Sequence, residues 1–173
     1  RPPRSTPKPS SAASDVYKRQ KLENAIKNKP ESFDKTWESK KRFSMDWYYP
    51  VLCGAIVGKK AEERINSQWN KYVLNEKGCL CVLDQPWVTI AETAELAIAL
   101  IKIQKKDKAT ELLSWINDYI DSDGAYWMGR QVTEKVFWPM EKPGWTSAAV
   151  ILAYDALHNF SKGSKIFLDD HLI

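Results

Sequence analysis

A chain of 173 residues is long enough for one ordinary core and short for two. Its 26 basic and 22 acidic side chains give a formal charge of +4, but five of the basic ones fall within residues 1–20 against one acid, Asp15. Residues 21–173 are therefore neutral and present no basic face for nucleic acid. No run of eighteen apolar residues exists to span a membrane, and no apolar signal core opens the chain, which makes the cytoplasm the expected location.

Residues 1–20 hold four of the nine prolines and almost no large apolar side chains, a composition that predicts a disordered, dispensable tail. The string from Ser10 to Gln20 resembles translated adapter sequence of the kind found at the ends of reading frames from environmental shotgun assembly. That resemblance implies an artefactual tail at 1–20, with 21–173 the C-terminal part of a domain whose remaining half lies upstream.

Beyond Lys21 the periodicity predicts helix after helix, with no alternating strand ladder. Met45–Val57 is nearly uncharged, tolerates Pro50 in its first turn and stops at Gly58. Ala61–Asn75 places Ile65, Trp69, Tyr72 and Val73 on one stripe, an amphipathic surface helix. Thr89 with Glu92 three residues on forms a capping box for a helix to about Gln104, whose body is small and apolar. Lys108–Ile120 is amphipathic again and ends at Asp121-Ser-Asp-Gly124. Trp145–Leu157 has one charge, Asp155, and Ser164–Ile173 begins a further outer helix. A helix apolar on every side must be surrounded, and one with a single stripe must lie outside it. The alternation predicts an all-α fold, an α/α toroid of which about three helical hairpins are present, with 46–57, 91–104 and 146–159 inside. A plain solenoid of hairpins is the alternative.

Eight tryptophans are the loudest feature of the composition. Trp47, Trp87 and Trp145 each stand at the opening of a nearly uncharged helix, where flat aromatic walls line packing layers or cavities. Glu92 and Glu95, three apart on an otherwise apolar helix, share a face and must meet either a polar cavity or a partner. Asp46 lies among Trp47, Tyr48 and Tyr49, an environment suited to a general acid held protonated. Asp84 stands near the same openings. Trp127 and Trp138 are further candidates for a cavity wall, although Trp127 in its Asp-Gly turn reads better as a brace. Cys79-Leu-Cys81 has the wrong spacing for a zinc knuckle, and Asp169-Asp170-His171 sits too near the chain end to be weighed, so neither a metal nor a cofactor is expected.

The turn Asp121-Ser-Asp-Gly-Ala-Tyr-Trp127, together with Ser44-Met-Asp-Trp-Tyr-Tyr-Pro50 and Asp84-Gln-Pro-Trp-Val-Thr89, resembles the terpenoid cyclase and protein prenyltransferase superfamily. The likeness is to the C-terminal half of bacterial proteins labelled prenyltransferase. It implies an α/α toroid that binds or converts an isoprenoid in an aromatic cavity, with Asp46 as proton donor, Glu92 and Glu95 as further catalytic acids, and Trp47, Tyr48, Trp87, Trp145 and Asp84 around the substrate. The cyclases' Asp-x-Asp-Asp motif and the zinc prenyltransferases' Asp-x-Cys pair are both absent. Carbohydrate-active six-hairpin toroids are the competing resemblance, because sugars need flat aromatic faces and glycoside cleavage needs two carboxyl groups. That alternative implies a glycan partner in place of the isoprenoid, and a non-catalytic binding module is the third reading.

Overall fold

The computed structural model of the chain describes residues 11–29 and 40–169. They fall into two units divided between residues 38 and 39. In the first, helix α1 (Ser11–Asn28) covers a stretch free of proline and of glycine, in which Ala and Lys occur three times each. Local propensity is enough to give it helical backbone. Residues 11–20 are thus helical where a disordered tail was expected, and residues 1–10 lie outside the described residues. Lys21 sets its ammonium over the Tyr17 ring one turn earlier, 4.7 Å from its centre.

The second unit is predominantly helical, as its periodicity predicts, and adds two small antiparallel sheets that the periodicity does not show. Helix α2 (Ser44–Leu52) ends five residues short of Val57, where Gly54 takes φ +75°. Pro50 lies in its interior, not in its first turn. A proline there has no N–H for the carbonyl four residues back. The Asp46 carbonyl instead accepts the Arg64 Nη2 at 2.8 Å, and the Trp47 carbonyl accepts Arg64 Nε at 2.7 Å.

Arg64 comes from α3 (Gly58–Tyr72), whose own carbonyl at that residue accepts the Trp47 indole N–H at 2.8 Å. Trp47 then stacks on Tyr72, with centroids 5.2 Å apart and planes at 11°. The expected continuation of α3 to Asn75 stops at Tyr72, and Val73–Leu74 (β1) turns back to pair with Gly78–Cys79 (β2). Gly78 is required there: its φ is +130°, and a Cβ would stand 2.7 Å from the Thr93 hydroxyl.

A second sheet joins Trp87–Thr89 (β3), Gly129–Gln131 (β4) and Val136–Phe137 (β5) in the order β3-β4-β5. Strands of two or three residues are too short for alternation to be legible. From β3 the chain enters α4 (Ile90–Lys102), in which ten of thirteen residues are buried. Glu92, Glu95 and Lys102 are the three that are not. Helix α4 packs against α2, α5 (Lys106–Trp115) and α6 (Gly144–His158), which makes it the centre of the core.

Helix α5 passes into a 3-10 turn over Ile116–Tyr119, and a short helix α7 (Lys165–Leu168) follows α6. The Lys102 ammonium ties α4 to this last element by donating to the Phe167 carbonyl at 2.8 Å. Helix α6 is expected to be enclosed, yet only Thr146, Val150, Ala153 and Ala156 are buried and Ile151 is 67% exposed. Those four follow a helical stripe turned toward α4, and among the described residues the opposite face stays uncovered. The Asp121–Gly124 turn is braced by Lys142, which pairs with Asp121 at 2.6 Å and with Asp123, and whose ammonium lies over the Trp127 ring.

Candidate carboxylate site at the start of α4

The beginning of α4 is fixed by the sheet. The Ile90 N–H donates to the Met128 carbonyl at 3.0 Å, and the Thr93 hydroxyl donates back to the Thr89 carbonyl at 2.6 Å. This leaves the expected capping box unmade. The Thr89 side chain makes no cap bond, and Thr89 Oγ1 and Glu92 Oε2 are both buried with no hydrogen-bond partner among the described residues. Glu92 therefore has no structural task at the helix terminus. Its other oxygen accepts the Cys81 thiol at 3.7 Å. Burial, then the neighbouring Glu92 charge, pushes that thiol up to about 12.

One turn on, Glu95 Oε2 accepts the Tyr48 hydroxyl at 2.7 Å. Tyr48 is fully buried, so the ring holds the hydroxyl in place through core packing. Tyr49, partly open to solvent, is a second phenol acting on the same carboxylate. Burial raises the Glu95 carboxyl above its ordinary 4.5; the Glu92 charge adds to this, and the two phenols oppose it. Burial and the Glu95 charge likewise drive the Tyr48 hydroxyl well up, so it remains a donor throughout the physiological range. Two carboxylates and two phenols from α2 and α4 thus meet where a buried helix reaches solvent.

The structure brings together some of the expected site residues and separates others. Glu92, Glu95 and Tyr48 meet. Asp46 is exposed, and its charge acts on Arg64 and Tyr72, on the side of α2 that faces α3. Successive helical residues point about 100° apart, so an acid adjacent in sequence to two core aromatics faces outward. Trp47 is 1% exposed and belongs to the core; it walls no cavity. Asp84 is exposed and paired with Arg42, whose Nη2 lies 2.9 and 2.8 Å from the two carboxylate oxygens; those bonds hold its carboxyl below the usual range. Trp145 is exposed in the first turn of α6, and Trp87 is half-buried against Trp138. Sequence reasoning weighed Tyr49 only as a neighbour of Asp46 and Cys81 only as a zinc ligand, and tied neither to a glutamate. The signal for Tyr49 was available: a carboxylate on an apolar helix needs donors, and the neighbouring aromatic helix carries two adjacent phenols.

Two clefts of about 400 and 290 Å³ lie at the other end of α4, lined by residues such as Glu62, Ile103, Gln104 and Lys105. They are gaps between helix ends and hold none of the carboxylates described above. Among the described residues no three His, Cys, Asp or Glu side chains are grouped to hold a metal ion, and no helix is long and apolar enough to cross a membrane. Asp170 and His171 lie outside the described residues.

No family model matches the chain. Over 147 residues, 85% of its length, it is 44% identical to a protein of Mycolicibacterium hassiacum named MMP endo-(1,4)-3-O-methyl-alpha-D-mannosidase. The match covers 40% of that relative, so the chain spans about two fifths of the length of the protein it matches. This finding overturns the resemblance to prenyltransferases and terpenoid cyclases and the isoprenoid substrate it implied: the relative is named for glycoside cleavage. The misleading motif has a local explanation. Gly124 takes φ +82°, so an Asp-Gly turn before an aromatic reports a backbone requirement and no particular chemistry.

Proposed function

We propose that this chain is part of a glycoside hydrolase acting on an α-linked mannoside, with Glu95 as the proton donor. One observation carries the reading: two carboxylates stand three residues apart on the otherwise buried start of α4, with Glu92 Oε2 buried and unpartnered among the described residues, in a chain 44% identical to a named endo-mannosidase. A general acid for glycoside cleavage needs a carboxyl that keeps its proton at higher pH than an ordinary one. Burial and the adjacent Glu92 charge push Glu95 in that direction. The Tyr48 hydroxyl fixes which oxygen faces the substrate; the proton passes to the glycosidic oxygen as the bond to the sugar's C1 breaks, water supplies the new oxygen at C1, and the proton that water releases restores the acid. Asp46 and Asp84, both exposed, are better suited to sugar hydroxyls than to proton transfer.

The fold proposal that accompanies this function is a partial α/α toroid, with α2, α4 and α6 as inner helices and α3, α5 and α7 outside. The position of α4 between α2 and α6, and the pairing of α4 with α5, support it. The test is hydrolysis of a 1,4-linked 3-O-methyl-α-mannose oligosaccharide by the chain and by Glu95→Gln. Turnover falls at least a hundredfold, the lower end for loss of a general acid, while binding is retained. Wild-type turnover in Glu95→Gln removes Glu95 from the chemistry, and failure of the chain to bind or cleave any mannoside sinks the glycosidase reading.

A further inference from the structure

Helix α6 is as apolar on its uncovered side as on the side packed against α4. Trp145 is 54% exposed, Ile151 67% and Leu152 38%, and Ala148 between them is exposed as well. Asp155 is the one carboxylate in the helix, and its two oxygens accept the N–H and the hydroxyl of Ser161 in the same chain, each at 2.7 Å. A helix with one packed stripe ordinarily turns charged side chains to water on the other. This one presents a second apolar stripe there.

The first residue of the helix points to what covers that stripe. Gly144 lies outside the left-handed region, so its backbone has no need of glycine, and a Cβ there would meet nothing within 4 Å among the described residues. Packing within the chain therefore does not require the missing side chain, which leaves an open notch in the helix surface. At about 100° per residue, Trp145 and Leu152 lie along one edge of the uncovered face, Gly144 and Ile151 along the other, and Ala148 between them. This order is complementary to itself. With a second α6 laid antiparallel about a twofold axis at Ala148, Ile151 of each copy enters the Gly144 notch of the other, Trp145 meets Leu152, and Ala148 meets Ala148.

We propose that this face of α6 joins two copies of the chain in a symmetric dimer. Trp145, Ile151 and Leu152 leave roughly 350 Å² of side-chain surface open in each copy, so these three supply roughly 700 Å² of the roughly 1,000 Å² that a specific interface needs. The small residues and backbone between them supply the rest. An interface at that lower limit is weak, with a Kd on the order of 10 µM. The pairing uses none of the carboxylates of α4 and stands independently of the glycosidase reading.

Sedimentation velocity of the 173-residue chain from about 1 µM to about 200 µM tests this, with circular dichroism to confirm that each variant keeps its helices. The chain passes from monomer to dimer and forms nothing larger, because a twofold contact closes on itself. Gly144→Leu adds apolar surface and meets nothing in its own chain, so indiscriminate adhesion would grow; filling the notch instead weakens the dimer about tenfold. Ala148→Glu and Ala148→Lys are each monomeric, and an equimolar mixture of the two forms a dimer again, since position 148 faces itself. A monomer at every concentration overturns the pairing and leaves the face to a different segment of polypeptide. A dimer indifferent to Gly144→Leu, or one that the mixture of charged variants does not restore, overturns it as well.

Discussion

Replacing Tyr48 by Phe keeps the buried ring, with its edge-to-face contacts to Trp47 and Tyr49, and removes only the hydroxyl that Glu95 accepts at 2.7 Å. A hydrogen bond to an ionised group is worth about 1.5–3 kcal/mol, and one between neutral groups about 0.5–1.5 kcal/mol. Because solvent reaches Glu95, the lower end of each range applies: about 1.5 kcal/mol while the carboxyl is ionised and about 0.5 kcal/mol once it is protonated. The sign follows from the charge. The phenol favours the carboxylate and lowers the Glu95 value, so Tyr48→Phe raises it further above its ordinary 4.5. Where the folded value is raised, stability is fully present below pH 4.5 and declines as pH rises through the folded value; the variant loses more than the wild type over that interval. Urea unfolding of both proteins at pH 4 and pH 9 measures this as a gap that widens with pH. A gap of the same size at both values refutes an ionised Glu95 as the partner of Tyr48.

Thr93→Val keeps the shape of a fully buried side chain but removes the acceptor of the Cys79 N–H, which it holds at 2.9 Å. The orphaned donor costs about 1–3 kcal/mol, seen as a fall in Tm of about 2–4 °C per kcal/mol; an unchanged Tm would show that the β1–β2 hairpin moves to recover the bond. Trp47→Phe leaves a void beside Tyr72 and destabilises by about 2 kcal/mol in urea, yet mannoside affinity per folded molecule stays at the wild-type value because the indole does not reach solvent. Loss of affinity without loss of stability would return Trp47 to the binding surface.

The helices were legible where burial alone dictates the pattern. The run Ala91–Ile101 has no polar stripe and became the central helix, while Ile65 and Tyr72 marked the inward face of α3. The sheets were not, because β1, β2 and β5 have two residues each, and β3 finds its partner β4 only across 40 or more residues, as in Trp87 with Gln131. At the site, the pair Glu92 and Glu95 could be read from carboxylates on an apolar helix. What the sequence hid was direction: Asp46, Trp47 and Tyr48 are consecutive, and the helix sends them outward, toward α3, and toward Glu95 respectively. The Thr89 and Glu92 spacing promised a cap, but Thr89 is held in a strand, its carbonyl taken by the Thr93 hydroxyl and the next N–H, that of Ile90, by the Met128 carbonyl.

The arginine that crosses to α2 also limits the order in which this sequence can change. Pro50 strands one carbonyl inside a helix, and Arg64, fourteen residues later, is what satisfies it. A lineage that exchanges the proline first keeps a sound helix and frees the arginine to vary. One that exchanges the arginine first passes through a chain with an unsatisfied carbonyl in the turn that also carries Trp47 and Tyr48. Proline at position 50 therefore depends on Arg64, whereas Arg64 does not depend on the proline.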